Sequence, residues 1–267
     1  MTTSSTRQFA LVTGASSGIG FELAKQFAEN GSDLLIVSDS GRINTAAEEI
    51  RMLGANIQAI EADLATHEGV HTLLSAIQTG KRPVDAAAIN AGVGVSGPFV
   101  ETDLEKELNM IALNVTFAVH LAKYIVKEMV ARRTGRILFT ASIAGTMPTP
   151  YETIYGATKA FLRSFSQGLR EELKDTGVSV TALMPGATET EFFHRAGADD
   201  TKLGASEKDD PAEVAKEGFE AMMAGKDHVV AGSFRNKLQA AAGYALPDPL
   251  VAKAHAAQAA PGSANKK

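Results

Sequence analysis

Cysteine is absent from all 267 residues. That excludes a disulfide framework, a thiolate nucleophile and a Cys-ligated zinc site, and it fits a reducing compartment. An excess of positive charge is also missing: 26 Lys and Arg stand against 31 Asp and Glu, for a net charge of −5. No long basic run offers the face that a nucleic-acid partner needs. An unbroken apolar run of about 18 residues, long enough to span a bilayer, is not found. Met1 to Gln8 is short and polar, without the apolar stretch of a signal peptide. The expectation is a cytoplasmic protein with no nucleic-acid or membrane partner. No cluster has metal-ligand spacing, so no metal is expected. No Pro/Gly/Ser-rich linker divides the chain, which therefore reads as one domain. Its parts are a flexible tail over 1–8, a body over 9–240 and an Ala-rich extension over 241–267, the last expected to be partly disordered.

What is present is an ordinary globular composition, 45% apolar and 21% charged, on a chain long enough to bury a large core. Short apolar runs alternate with segments of helical period, the pattern of β-α-β units and a parallel sheet. The expected strands are Phe9–Val12, Leu34–Val37, Ile57–Ile60, Ala86–Ile89, Arg136–Thr140, Val178–Met184 and His228–Ala231. Most are near-continuous apolar runs, as strands covered on both faces require. Leu104, Leu108, Ile111, Val115, Ala118, Ala122, Ile125 and Met129 form a sustained apolar stripe that predicts either a wide core contact or a subunit interface. The polar, Gly-containing stretch His194–Asp210 predicts a mobile loop.

The first strand runs into Thr13-Gly14-Ala15-Ser16-Ser17-Gly18-Ile19-Gly20 and then an amphipathic helix. Glycines allow a tight turn and a close approach of backbone to a pyrophosphate, and the helix start supplies free N–H groups and a positive dipole end. Such a turn alone marks many strand-to-helix junctions, but the strand before it and the helix after it are the context a dinucleotide site needs. Asp39 follows the second strand. A carboxylate there accepts hydrogen bonds from both ribose hydroxyls and repels a 2′-phosphate, which favours NAD, with NADP the alternative because Arg42 and nearby serines could hold a phosphate. Asp39-Ser40-Gly41 is also plain turn chemistry. Asp63-Leu64, after the third strand, could reach an adenine.

Tyr155 and Lys159 are four apart and share a helix face. A free tyrosine titrates near 10, poorly matched to proton transfer at neutrality. The expectation is that a nearby lysine ammonium lowers that value and makes Tyr155 a working acid or base. Ser142, at a strand end, could hold a substrate oxygen. A Tyr-x-x-x-Lys pair alone is common helix-surface chemistry.

Taken together, Thr13–Gly20, Asn90-Ala91-Gly92, Asn114, Ser142, Tyr155-x-x-x-Lys159 and Pro185-Gly186 stand in the order and spacing of the short-chain dehydrogenase/reductase family, which the chain resembles from about Phe9 to Ala231. The resemblance implies an α/β fold: a single Rossmann-type, doubly wound domain with a seven-stranded parallel sheet in the order 3-2-1-4-5-6-7 and helices on both faces. It implies a catalytic tetrad of Asn114, Ser142, Tyr155 and Lys159. Lys159 would also hold the nicotinamide ribose, Asn114 would back a water relay, and Pro185-Gly186 would flank the nicotinamide. Thr188 and Thr190 would contact its carboxamide. The cofactor set is then Gly14, Ser16, Ser17, Gly18, Ile19, Gly20, Asp39, Asp63, Leu64, Asn90, Ala91, Gly92, Tyr155, Lys159, Pro185, Gly186, Thr188 and Thr190. One departure is Ile89, where the family commonly has a second asparagine; a local repacking is expected. The implied partners are a small alcohol or carbonyl substrate and further copies of the chain, as a homodimer or homotetramer. Substrate walls are expected from Val93–Phe99, Thr146–Glu152 and the loop 188–210, with Phe192, Phe193, Met147 and Pro148 as apolar contacts. His194 is expected to be incidental. The competing functions are a catalytically silent dinucleotide-binding regulator and an isomerase or dehydratase with bound cofactor.

Overall fold

The structure is a computed structural model and describes residues 7–265. The parts of the expected tail and extension at 1–6 and 266–267 lie outside the described residues. Seven strands form where the apolar runs predict them, with ends displaced by no more than two residues. They are β1 Gln8–Thr13, β2 Ser32–Ser38, β3 Ile57–Glu61, β4 Ala86–Ile89, β5 Gly135–Thr140, β6 Val178–Pro185 and β7 His228–Ala231. They make one sheet in the order β3-β2-β1-β4-β5-β6-β7, and every neighbouring pair is parallel. The fold is the expected doubly wound α/β domain.

The helices are α1 Gly18–Glu29, α2 Arg42–Arg51, α3 His67–Gly80, α4 Leu104–Ile111, α5 Ala118–Arg132, α6 Thr153–Leu173, α7 Phe192–Ala196, α8 Lys202–Ala205, α9 Pro211–Met223, α10 Phe234–Ala245 and α11 Asp248–Ala259. All seven residues of β2 are buried, because helices cover both faces of the sheet and leave no solvent side to alternate toward. On one face α1, α2 and α9 press Leu23, Phe27, Ile43, Ile50, Val214 and Phe219 onto Val12, Leu34, Ile36 and Leu138. On the other, α3, α5 and α6 bring Val70, Leu73, Leu121, Ile125 and Leu162 against Leu11, Leu35, Ile137 and Phe139. Strand order reverses between β1 and β4, so their carboxyl ends open a crevice, the place where doubly wound sheets hold ligands.

The predicted stripe on the long helix divides in two. Ala118, Ala122, Ile125 and Met129 are buried, whereas Leu104 is 62% and Leu108 49% exposed. A π-helical turn over Ala112–Phe117 joins α4 to α5. Its wider turn shifts the helix register, so the inward residues before it are Glu107 and Met110 rather than the leucines, and within it Asn114 turns inward. The continuous helix Leu104–Arg132 is also long and apolar enough to cross a membrane by length and composition. An unbroken-run criterion misses it because scattered polar residues interrupt the apolar ones; here its α5 half packs into the core.

Three local expectations are corrected. Arg7 is tied to the Gly54 carbonyl at 2.8 Å and to Asp33 at 3.3 Å, and Gln8 already belongs to β1, so the expected tail does not reach residues 7 and 8. The stretch 194–210 carries α8 and most of α7, pinned by a parallel bridge from Thr188 to Asp209 and by a small core of Phe193, Ala196 and Ala198. The extension is helical through α11, which buries Val251, His255 and Ala259. That four-residue period lies inside an Ala-rich background that hid it.

Candidate active site

The crevice begins at the turn after β1. Gly14 has φ +69°, and a methyl added there would meet Ala91 Cα at 2.9 Å; on Gly20 it would lie 2.1 Å from the Gly14 carbonyl oxygen. Only glycine lets the backbone fold this tightly. Ser17 caps α1 without a side-chain hydrogen bond, and the first turn holds no acidic residue. The free N–H groups and positive end of α1 therefore face the crevice, an anion-binding arrangement. The turn is braced from β4 and β5. The Asn90 amide donates to Thr13 Oγ1 at 2.9 Å, its Nδ2 to the Thr13 carbonyl at 3.1 Å, and Thr140 Oγ1 donates to Asn90 Oδ1 at 3.0 Å. Ile89 is buried in the core, so the departure there is absorbed by apolar packing.

Farther along, the π turn delivers Asn114 inward. Its Oδ1 accepts from the Val93 amide at 3.0 Å, and its Nδ2 donates to the Val93 carbonyl and to Thr158 Oγ1, both at 3.0 Å. Lys159, one helical turn after Tyr155 on α6, donates from Nζ to the Thr140 carbonyl at 2.8 Å. A methyl on Gly92 would sit 3.1 Å from Asn114 Oδ1 and 3.3 Å from Lys159 Nζ, so these three residues converge. Ser142, at the end of β5, donates to the Pro185 carbonyl at 3.3 Å and accepts from the Ala144 amide at 3.1 Å. The Tyr155 ring packs against Phe192, with centroids 5.1 Å apart.

A cavity of about 270 Å³ runs from the glycine turn past Gly92, Val93, Ser142, Tyr155 and Lys159. The glycine turn, Asp39, Asp63 and Leu64 line one end; Ser142, Tyr155, Lys159, Pro185, Gly186, Thr188 and Thr190 line the other. Residues 8–201, which carry both the glycine turn and the tyrosine–lysine helix, match a protein family model described as short chain dehydrogenase. The chain belongs to the short-chain dehydrogenase family. It is 31% identical over 182 residues to an uncharacterised oxidoreductase of Staphylococcus epidermidis, covering 68% of this chain and 78% of that one. A short-chain dehydrogenase from Sphingobium yanoikuyae, solved in complex with NADPH, superposes with a TM-score of 0.78 at 33% identity, covering 84% of this chain and 87% of its own. A bulky-bulky ketone specific alcohol dehydrogenase from Comamonas testosteroni gives a TM-score of 0.74 at 29% identity, covering 84% and 85%.

This short-chain dehydrogenase thus gathers nearly all the expected site residues at its crevice; Asn114 stands just behind it, holding Val93. Thr190 crosses from the loop to Gly18, where an added methyl would meet its Cγ2 at 2.7 Å. His194 is not at the cavity; it is exposed and pairs with Asp199 at 2.8 Å. Arg42 is engaged by Glu191 through two contacts of 2.7 and 2.6 Å, and the Arg42 and Arg195 guanidinium groups hold the Glu191 carboxyl down to about 2.

The electrostatics overturn one expectation. Tyr155 is pushed up from the ordinary tyrosine value rather than down: burial raises it first, the Glu152 charge raises it further, and only the hydrogen bond with Ser142 opposes them. Lys159 donates one hydrogen bond to the Thr140 carbonyl and is itself lowered to about 8 by burial. The phenol therefore holds its proton in the free site. Sequence reasoning also missed the far wall. Asn236 and Gln239 of α10 and His255 and Gln258 of α11 reach the cavity, and the four-residue stripe of α11 was the available signal.

Proposed function

We propose that this enzyme transfers a hydride between the nicotinamide of NAD(P) and an alcohol or carbonyl carbon, with Tyr155 as the proton donor and acceptor. The observation that carries this is the convergence of the α1 start, Ser142, Tyr155 and Lys159 on one cavity. The residues along the crevice suit a dinucleotide. The Gly-rich end gives a close backbone approach to a pyrophosphate, and the bare Gly92 leaves room beside Lys159 Nζ for a ribose.

Bound there, the cofactor supplies the hydride. The chain's own groups do the rest. Ser142 donates to the substrate oxygen and Tyr155 gives its proton to the alkoxide that forms there, the role that a phenol kept protonated by burial and by Glu152 suits. Below about pH 8 Lys159 carries its charge toward the ribose site. Asn114 fixes Val93 beside the reacting centre. Asp39 at the adenosine end favours NAD because a carboxylate repels a 2′-phosphate, and Arg42 is already taken by Glu191. NADP remains the second reading, because the Sphingobium relative holds NADPH. Leu104 and Leu108 stand bare on the long helix, and we assign that face to a second copy of the chain.

The test is a ketone and alcohol panel followed at the nicotinamide absorbance band with each cofactor. Tyr155→Phe should lower kcat by at least about 10²-fold and leave dinucleotide affinity nearly unchanged. Turnover retained in that variant removes Tyr155 from the mechanism.

A further inference from the structure

The substrate end of the cavity holds a carboxylate, Glu152, whose charge helps keep Tyr155 protonated and to which the hydride chemistry gives no contact with substrate. Glu152 precedes Tyr155 by three residues, lines the cavity and is only 5% exposed at its side chain. Its recorded hydrogen bonds all run through its backbone: the amide donates to the Thr149 carbonyl, and the carbonyl accepts from Thr149 Oγ1 and the Gly156 amide. Tyr151, just before it, adopts φ +69°, and the Gly97 amide holds its carbonyl at 2.8 Å. A non-glycine residue in the left-handed region persists only where the surroundings enforce it, and here the kink sets the start of α6 with Glu152 turned inward.

From the opposite wall α11 inserts His255, 6% exposed at its side chain, with Nε2 3.3 Å from Glu152 Oε2. The pair is close enough for charge contact, yet among the described residues Nε2 is buried without a hydrogen-bond partner. Buried polar groups left in this state are rare and ask for an explanation. The Glu152 carboxyl reaches the cavity as a hydrogen-bond acceptor with the His255 ring close behind it, which leaves its cavity side for a donor. A hydroxyl is such a donor and brings no charge into a buried wall. The rest of the wall is mixed: Met147, Phe192, Phe193 and Leu203 offer apolar contact to a carbon skeleton, and the amides of Asn236, Gln239 and Gln258 stand on the far side.

We propose that Glu152, backed by His255, is a recognition site for a second hydroxyl group, so that the preferred substrates are hydroxy-ketones and diols rather than plain ketones. This rests on the oxidoreductase reading above. Glu152 is the specificity-determining residue and His255 its positioning residue.

The experiment compares cyclohexanone with 2-, 3- and 4-hydroxycyclohexanone on the full chain. Affinity is measured by calorimetry in the presence of the dinucleotide, and turnover by absorbance. Wild type should favour one hydroxylated ketone by tenfold or more, chiefly in Kd and KM. Glu152→Leu should abolish that preference and Glu152→Gln, whose amide oxygen still accepts, should keep part of it. His255→Leu should reduce the preference and His255→Gln should restore some of it, with circular dichroism and melting curves checking that each variant folds. Equal affinity for all four ketones in wild type, or a preference that survives Glu152→Leu, overturns the proposal. A preference in binding that depends on Glu152, without any cofactor turnover, upholds the recognition site and overturns the oxidoreductase reading instead.

Discussion

Lys159 is a charged group in a buried position, 4% exposed, and its cost can be separated from its use. Burial lowers it from 10.5 to about 8. At about 1.4 kcal/mol per tenfold change in proton affinity, the folded state gives up roughly 3 kcal/mol to keep that ammonium at pH 7. Replacing it in Lys159→Met keeps the length of the stem and removes the charge. The Thr140 carbonyl loses its 2.8 Å donor, which takes back about 1–2 kcal/mol. The variant should therefore be more stable than wild type by about 1–2 kcal/mol at pH 7, or roughly 3–6 °C in melting temperature for a domain of this size. The sign with pH is fixed. Between about 8 and 10.5 the unfolded lysine binds its proton and the folded one does not, so wild type gains stability as pH rises through that window. The advantage of the variant should shrink by roughly 2 kcal/mol from pH 7 to pH 10, read by urea melts across that range. The same variant should lose cofactor affinity and turnover. A variant less stable at pH 7, or a stability difference that does not change between pH 7 and 10, would refute the account of Lys159 as a strained ammonium retained for function.

Three further outcomes test other parts of the structure. Asp39→Ala should raise the NADP-to-NAD ratio of kcat/KM by at least about tenfold, and an unchanged ratio removes Asp39 from cofactor choice. Leu104→Glu with Leu108→Glu should convert an oligomer to monomers by light scattering while leaving the melting temperature of a dilute sample almost unchanged, because both leucines are exposed within one chain. Asp33 is buried at the start of β2; burial alone would raise its carboxyl, but hydrogen bonds from Arg82 and Asn56 and the Arg82 charge carry it below the usual value. Arg82→Met, which removes a 2.7 Å ion pair, should cost about 1–3 kcal/mol near pH 7. Because a depressed carboxyl contributes above its ordinary range and is lost as pH falls, the acid-unfolding midpoint of the variant should move to higher pH.

Which features were readable from the chain follows from how local their causes are. The seven strands were readable because each is an apolar run of a few residues, and a parallel sheet covered on both sides leaves no alternation to confuse the reading. The turn Thr13–Gly20 and the Tyr155–Lys159 pair were readable because spacing along one strand end or one helix face decides them. The proton affinity of Tyr155 was not. It depends on burial and on Glu152, which a helix spacing of four does not reveal. Leu104 and Leu108 fall on one stripe with Ala118–Met129, read as core or subunit interface, only at a constant helical pitch, and the π turn at Ala112–Phe117 breaks that pitch. The same turn is what carries Asn114 inward to Val93.

The family match ends at residue 201, yet part of the cavity wall comes from α10 and α11 beyond it. This division has a structural cause. Ser142, Tyr155, Lys159 and the glycine turn hang from strand ends of the sheet or from helices packed on it, so their relative positions follow from the shared architecture. His255 reaches Glu152 only because α11 folds back over the start of α6, and α11 rests on α8, on α10 and on the short loop helices rather than on a strand. On the proposed reading, substitutions on this second layer change which molecule is accepted while Ser142, Tyr155 and Lys159 keep their places on the sheet. The family's motifs are then legible along the chain, whereas the wall that Glu152 and His255 form appears only where two distant segments meet.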